Sequence, residues 1–176
     1  DEEIIKSFDI KTKMTVFTWK GERDTIMTPT DSIRYYKSFL QSGMMAMDPQ
    51  NGNVKAWVGG INYKYFQYDH VGQGARQVGS TFKPFVYATA IEKLNMSPCD
   101  SIIDGPFMIH KGRHNVTEDW EPKNSDHQYR GMVTLKKALA NSINTVSAKL
   151  IDKVGPESVV ELTHKLGVKS EIPAQP

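Results

Sequence analysis

The stretch Gly79-Ser80-Thr81-Phe82-Lys83-Pro84-Phe85-Val86-Tyr87-Ala88-Thr89-Ala90-Ile91-Glu92-Lys93-Leu94 decides how this chain is read. Phe85–Leu94 is apolar nearly all round at its start, the pattern of a helix buried inside a domain. Ser80 and Lys83 are three residues apart, so on a helix their side chains share one face. A lysine amine made neutral by burial can take the serine proton, because desolvation disfavours the ammonium. Ser80 at the start of the helix also gains from the unpaired N–H groups and positive dipole end found there. Gly79 permits an unusual entry angle. Pro84 fits the first helical turn, where N–H groups need no internal partner, although it disfavours a helical Lys83 before it. A Ser-x-x-Lys pair alone is common by chance; its position at the head of a buried helix gives it weight.

A second pair lies downstream, in Ser142-Ile143-Asn144. Residues two apart on one helix point in nearly opposite directions. For Ser142 and Asn144 to serve one site, the helical run from Thr134 to Val154 must break. The expectation is therefore two helices, about Thr134–Asn141 and Thr145–Val154, joined by a Ser-Ile-Asn corner. The alternative is one unbroken helix with Ser142 packed among Ala and Leu.

Around these two segments the organisation is irregular. Thr12–Trp19 alternates as a strand, and Lys20-Gly21-Glu22 turns the chain. A short helix is expected from about Asp31 to Gln41, with Ile33, Tyr36 and Leu40 as its apolar stripe. Gly43–Gly60 reads as a hairpin about Asp48-Pro49-Gln50-Asn51-Gly52, where Pro49 presets φ and Asn51-Gly52 tolerate positive φ. Asn95–Tyr129 is a long loop, of the kind that is functional or carries small elements of its own. A last helix is expected from Pro156 to Gly167.

Composition excludes several classes. With 22 Lys+Arg against 20 Asp+Glu in 176 residues the net charge is +2, so no nucleic-acid signal is present. No apolar run approaches the ~20 residues that a bilayer demands. Cys99 is the single cysteine, which rules out an internal disulfide or a cysteine metal cluster. His110 and His114 flank Gly112 and read as solvated loop rather than as metal ligands, and no cofactor is called for. The chain starts at Asp1 without a signal peptide, as a mature or excised piece would.

Arg76-Gln77-Val78-Gly79-Ser80-Thr81-Phe82-Lys83-Pro84-Phe85-Val86-Tyr87 resembles the nucleophile segment of class A penicillin-binding proteins. Met47-Asp48-Pro49-Gln50-Asn51-Gly52 through Trp57-Val58-Gly59-Gly60 resembles that family too, in its order. So do Trp120-Glu121-Pro122-Lys123-Asn124, Tyr129-Arg130-Gly131 and Thr134 through Thr145. The resemblance implies an α+β chain, an incomplete β-lactamase/transpeptidase-like fold of antiparallel hairpin plus helical subdomain. Residues 1–41 would be an interdomain linker region with a strand and short helix, and 42–176 the N-terminal part of the transpeptidase domain.

By the same resemblance Ser80 is the acylated nucleophile, Lys83 its general base, and Ser142 a proton relay to the leaving amine. Asn144 would hydrogen-bond the donor peptide. Trp120 and Tyr129 would line the groove, or else serve as packing anchors. Tyr63, Tyr65, Phe66 and Tyr68 would wall the site or cover the hairpin. The implied partners are peptidoglycan stem peptides and β-lactam antibiotics, with no nucleic acid. The implied setting is the bacterial cell envelope, on the periplasmic side of the inner membrane, in a membrane-anchored parent that is also a peptidoglycan glycosyltransferase.

The family's third motif, Lys-[Ser/Thr]-Gly, occurs nowhere in the 176 residues. The expectation is that it follows Pro176 and that this piece has little activity alone. The competing readings are a serine β-lactamase or β-lactam sensor, and a non-catalytic interaction module.

Overall fold

The computed structural model describes residues 6–176, and the chain forms two compact units divided between Arg76 and Gln77. The boundary expected after residue 41 falls inside the first unit, and residues 1–5 of the expected linker lie outside the described residues.

In the first unit, β1 (Thr12–Thr18) pairs antiparallel with β2 (Gly21–Met27), Thr18 opposite Gly21. The sequence reading has no counterpart for β2. Its run Gly21-Glu22-Arg23-Asp24 is polar and exposed, so it carries no hydrophobic period. Backbone pairing with β1 holds it, joined by Asp24 accepting from Thr15 Oγ1 at 2.7 Å and by the Lys64–Glu22 ion pair. Helix α1 spans Pro29–Lys37, capped by Thr28, whose side chain accepts from Asp31 N at 3.0 Å. It starts two residues earlier than expected because Pro29 itself is a first helical residue. The expected apolar stripe is corrected too, since Ile33 is 47% and Leu40 88% exposed. Of the expected stripe Tyr36 does dock the helix, with Tyr35 beside it: Tyr35 Oη donates to Phe17 O at 2.6 Å, and Tyr36 Oη accepts from Phe17 N at 3.2 Å. Phe17 sits among Phe39, Tyr65 and Phe66 with ring centroids 5.3 to 5.7 Å apart. Tyr65 and Phe66 thus join this aromatic cluster, while Tyr68 packs on His70 and Tyr63 is exposed.

The expected hairpin is present as β3 (Met44–Met47) and β4 (Val54–Val58), with a bulge between Ala46 and Met47. Asp48 organises the turn by accepting from Gln50 N and Asn51 Nδ2, and only Gly52 takes a positive φ.

The second unit is built on aliphatic packing. Helix α2 (Lys83–Leu94) lies against α4 (Asn144–Val154) and α5 (Pro156–Lys165). Val86, Tyr87, Ala90, Ile102, Val133, Leu135, Ile143, Val146, Leu150 and Val159 close one core. Within the long loop, β5 (Ser101–Asp104) pairs antiparallel with β6 (Gly131–Thr134), and Ile109 bridges Trp120. Strand β6 feeds directly into α3 (Leu135–Ala140). The helical run expected over Thr134–Val154 is therefore two helices, broken at Asn141–Ile143. Among the described residues no helix is long and apolar enough to cross a membrane.

Candidate active site

Pro84 shapes the entry to the site. It has no N–H, so the Ser80 carbonyl cannot receive the i+4 hydrogen bond of an α-helix, and its ring would crowd that carbonyl. Ser80 O accepts from Lys83 N instead, and Gly79–Phe82 forms a 3₁₀ turn ahead of α2. The expectation of one continuous α-helix through Ser80 is corrected accordingly. Side chains three apart eclipse in a 3₁₀ turn, but no hydrogen bond joins Ser80 Oγ to Lys83 Nζ here, and the two residues meet only as lining of one cleft. Gly79 opens the turn at φ +51°, a conformation that suits glycine. Ser80 is exposed, and its hydroxyl has no hydrogen-bond partner among the described residues.

The corner at residue 142 has an equally local cause. Ser142 N donates to Leu139 O and Ile143 N to Ala138 O, both at 3.0 Å. That pair of bonds is a Schellman ending of α3, which requires a left-handed residue next to the cap. Ser142 fills it at φ +52°, a position where glycine costs less. Ile143, extended and buried, then starts α4 in a new direction.

Lys83 and the corner meet. Lys83 Nζ donates to Ser142 O at 2.7 Å, to Ser142 Oγ at 3.0 Å and to Asn144 Oδ1 at 2.6 Å. Burial pushes the Lys83 ammonium below the ordinary lysine range. Of these three partners only Ser142 Oγ can also donate, so it is the one group bonded to Lys83 that can pass a proton to or from its neutral amine. Asn144 Nδ2 donates to Lys123 O at 2.8 Å, which turns its carbonyl oxygen towards Lys83.

Ser80, Lys83 and Asn144 line a cleft of about 900 Å³, together with Trp120, Glu121, Pro122 and Lys123. Trp120 is held there by paired backbone bonds with Ile109, each 2.9 Å. Tyr129 is 44% exposed and does not line the cleft. His114 bonds Asp152 at 3.1 Å, and His110 faces Asp119 at 3.5 Å.

Sequence reasoning missed Asp104 and Asn124. Asp104, 1% exposed, accepts from Thr145 Oγ1 at 2.5 Å, Asn124 Nδ2 at 2.8 Å and Arg130 N at 3.0 Å. Burial pushes its carboxyl up, but the bonds from Thr145, Asn124 and Arg130 outweigh this and hold it below the usual carboxylate range. The available signal was an acidic residue closing the apolar run Ile102-Ile103.

Two family models match. Residues 1–40 match the penicillin-binding protein middle domain and residues 27–175 the penicillin-binding protein transpeptidase domain. Penicillin-binding protein 1A of Neisseria flavescens is 35% identical over 161 residues, covering 91% of this chain and 19% of that protein. Its namesake in Aquifex aeolicus is 40% identical over 131 residues, covering 73% and 17%. The crystal structure of penicillin-binding protein 1A from Haemophilus influenzae superposes with TM-score 0.65 at 32% identity, over 73% of this chain and 19% of that one. The chain thus spans about a fifth of the length of the curated relatives it matches. On the extent of the match over residues 27–175, the chain belongs to the penicillin-binding protein transpeptidase family.

Proposed function

We propose that this chain carries the nucleophile half of a serine D,D-transpeptidase that cross-links peptidoglycan stem peptides and is acylated by β-lactams. The observation that carries the reading is the Lys83 amine, half-buried, lining the same cleft as the exposed Ser80 and bonded at once to Ser142 and Asn144.

Neutral Lys83 takes the Ser80 proton as Oγ attacks the carbonyl carbon of the scissile D-Ala-D-Ala bond. The tetrahedral adduct collapses with loss of the C–N bond. The proton reaches the departing amine from Lys83 through Ser142, and the acyl group stays on Ser80 Oγ. An amine of a second stem peptide then attacks that ester, returning a proton by the same route and freeing Ser80. Asn144 holds Lys83 and has a further N–H for the donor peptide, and Trp120 walls the cleft. Tyr129, exposed and outside the cleft, takes no part on this reading. Residues 1–41 are the end of a middle or linker region, and the working site is the periplasmic side of the inner membrane.

The test is intact-mass measurement of the full-length protein after incubation with a fluorescent penicillin, followed by peptide mapping. A stable adduct on Ser80, lost in Ser80→Ala, is the expected result. Rapid hydrolysis of the adduct would assign a β-lactamase instead, and no adduct would leave a binding module.

A further inference from the structure

The Trp120–Asn124 loop does more than wall the cleft. Asn124 is 4% exposed, and each polar atom of its side chain is bonded on both sides. Its Nδ2 donates to Asp104 Oδ1 and to Gln128 O, both at 2.8 Å. Its Oδ1 accepts from Asn144 N at 2.9 Å and from Thr145 N at 3.3 Å. Those are the leading N–H groups of α4, which have no partner within the helix. Ile143, at the capping position, has no side chain that can accept them.

The amide is oriented by what stands behind it. Asp104 as a carboxylate only accepts, so Asn124 must turn Nδ2 towards it and Oδ1 towards the helix. Arg130 and Thr145 fix Asp104 in turn. The residue before Asn124 completes the chain: Lys123 O holds Asn144 Nδ2, and Asn144 Oδ1 holds Lys83 Nζ. A shift of Asn124 therefore reaches the Lys83 amine through one residue.

We propose that Asn124, turned by Asp104, is a positioning residue for acylation, setting the Asn144 amide and through it the Lys83 amine. This rests on the reading of Ser80 and Lys83 as the acylating pair. Asn124 touches neither substrate nor reacting atoms.

The test measures, on the full-length protein, the acylation rate constant at saturating fluorescent penicillin and the affinity of the initial complex. Asn124→Ala should slow acylation roughly tenfold to a hundredfold, as loss of near-attack geometry does, with little change in initial affinity. Asn124→Asp sets two carboxyls together across a 2.8 Å contact and should be as slow. A merely structural role would lower the initial affinity, or the fraction of protein that acylates, together with the rate constant. Wild-type speed in Asn124→Ala, or a loss confined to initial affinity, overturns the proposal alone. Failure of the wild-type protein to form a Ser80 adduct overturns the reading beneath it as well.

Discussion

Helices α3 and α4 begin nine residues apart and are capped in opposite ways. Thr134, directly ahead of α3, accepts from Lys137 N with its own hydroxyl at 3.3 Å, the ordinary local cap. Ile143, directly ahead of α4, offers nothing, and the start of that helix depends on Asn124 from another loop. A local cap stabilises one helix and ends there. The borrowed cap also fixes the loop that walls the cleft to the corner that holds Lys83, at the cost of burying a carboxylate to steer one amide.

Removing the steering carboxylate breaks this contrast most severely. Asp104→Ala strips the acceptor from Thr145, Asn124 and Arg130, and truncation within such a buried charged network costs about 3–5 kcal/mol. Hydrogen exchange of the α4 amides under urea checks this, with α1 as the internal control. The pH dependence has a definite sign. A carboxyl whose folded value lies below its unfolded value contributes stability above the unfolded value, lost as pH falls through the folded one. Wild-type α4 should therefore lose protection on acidification through and below the usual carboxylate range, and Asp104→Ala should flatten that limb.

Substituting the two caps themselves compares them directly. Asn124→Ala orphans two buried or half-buried N–H groups and takes a donor from Asp104, for about 1–3 kcal/mol. Thr134→Ala should cost no more than ~1 kcal/mol and leave the rate of Ser80 acylation unchanged. Equal losses of acylation from both would remove the distinction.

The smallest effect concerns the corner. Ser142 is left-handed, so Ser142→Gly should be more stable than Ser142→Ala by about 1 kcal/mol in thermal unfolding. Both should acylate slowly, having lost the hydroxyl on Lys83. A faster Ser142→Gly would mean that the corner's backbone, and not its hydroxyl, matters.

These contrasts also mark what could be read from sequence. The buried α2 and the hairpin about Asp48–Gly52 were legible because each has a short-range cause, an apolar run and turn residues. The break at Ser142 followed only from the premise that Ser142 and Asn144 serve one site, since spacing alone left an unbroken helix open and no residue there announces the left-handed ending. The 3₁₀ turn at Ser80 was legible only in part; Pro84 was seen, but not its effect on the Ser80 carbonyl. Strand β2 was hidden because its first half is polar and carries no apolar period. Asp104 and Asn124 were hidden for a different reason. They are 20 residues apart and act on a helix a further 20 residues on, so no window of local periodicity contains the cause.

The most direct measurement is the pH dependence of the Ser80 acylation rate constant in the full-length protein, with Lys83→Arg alongside. Burial lowers the Lys83 ammonium, and the base must be neutral to work. The expected profile is one ascending limb whose midpoint lies below the ordinary lysine value, absent in Lys83→Arg. A limb centred at the ordinary lysine value, or undiminished acylation in Lys83→Arg, would contradict the role of this amine.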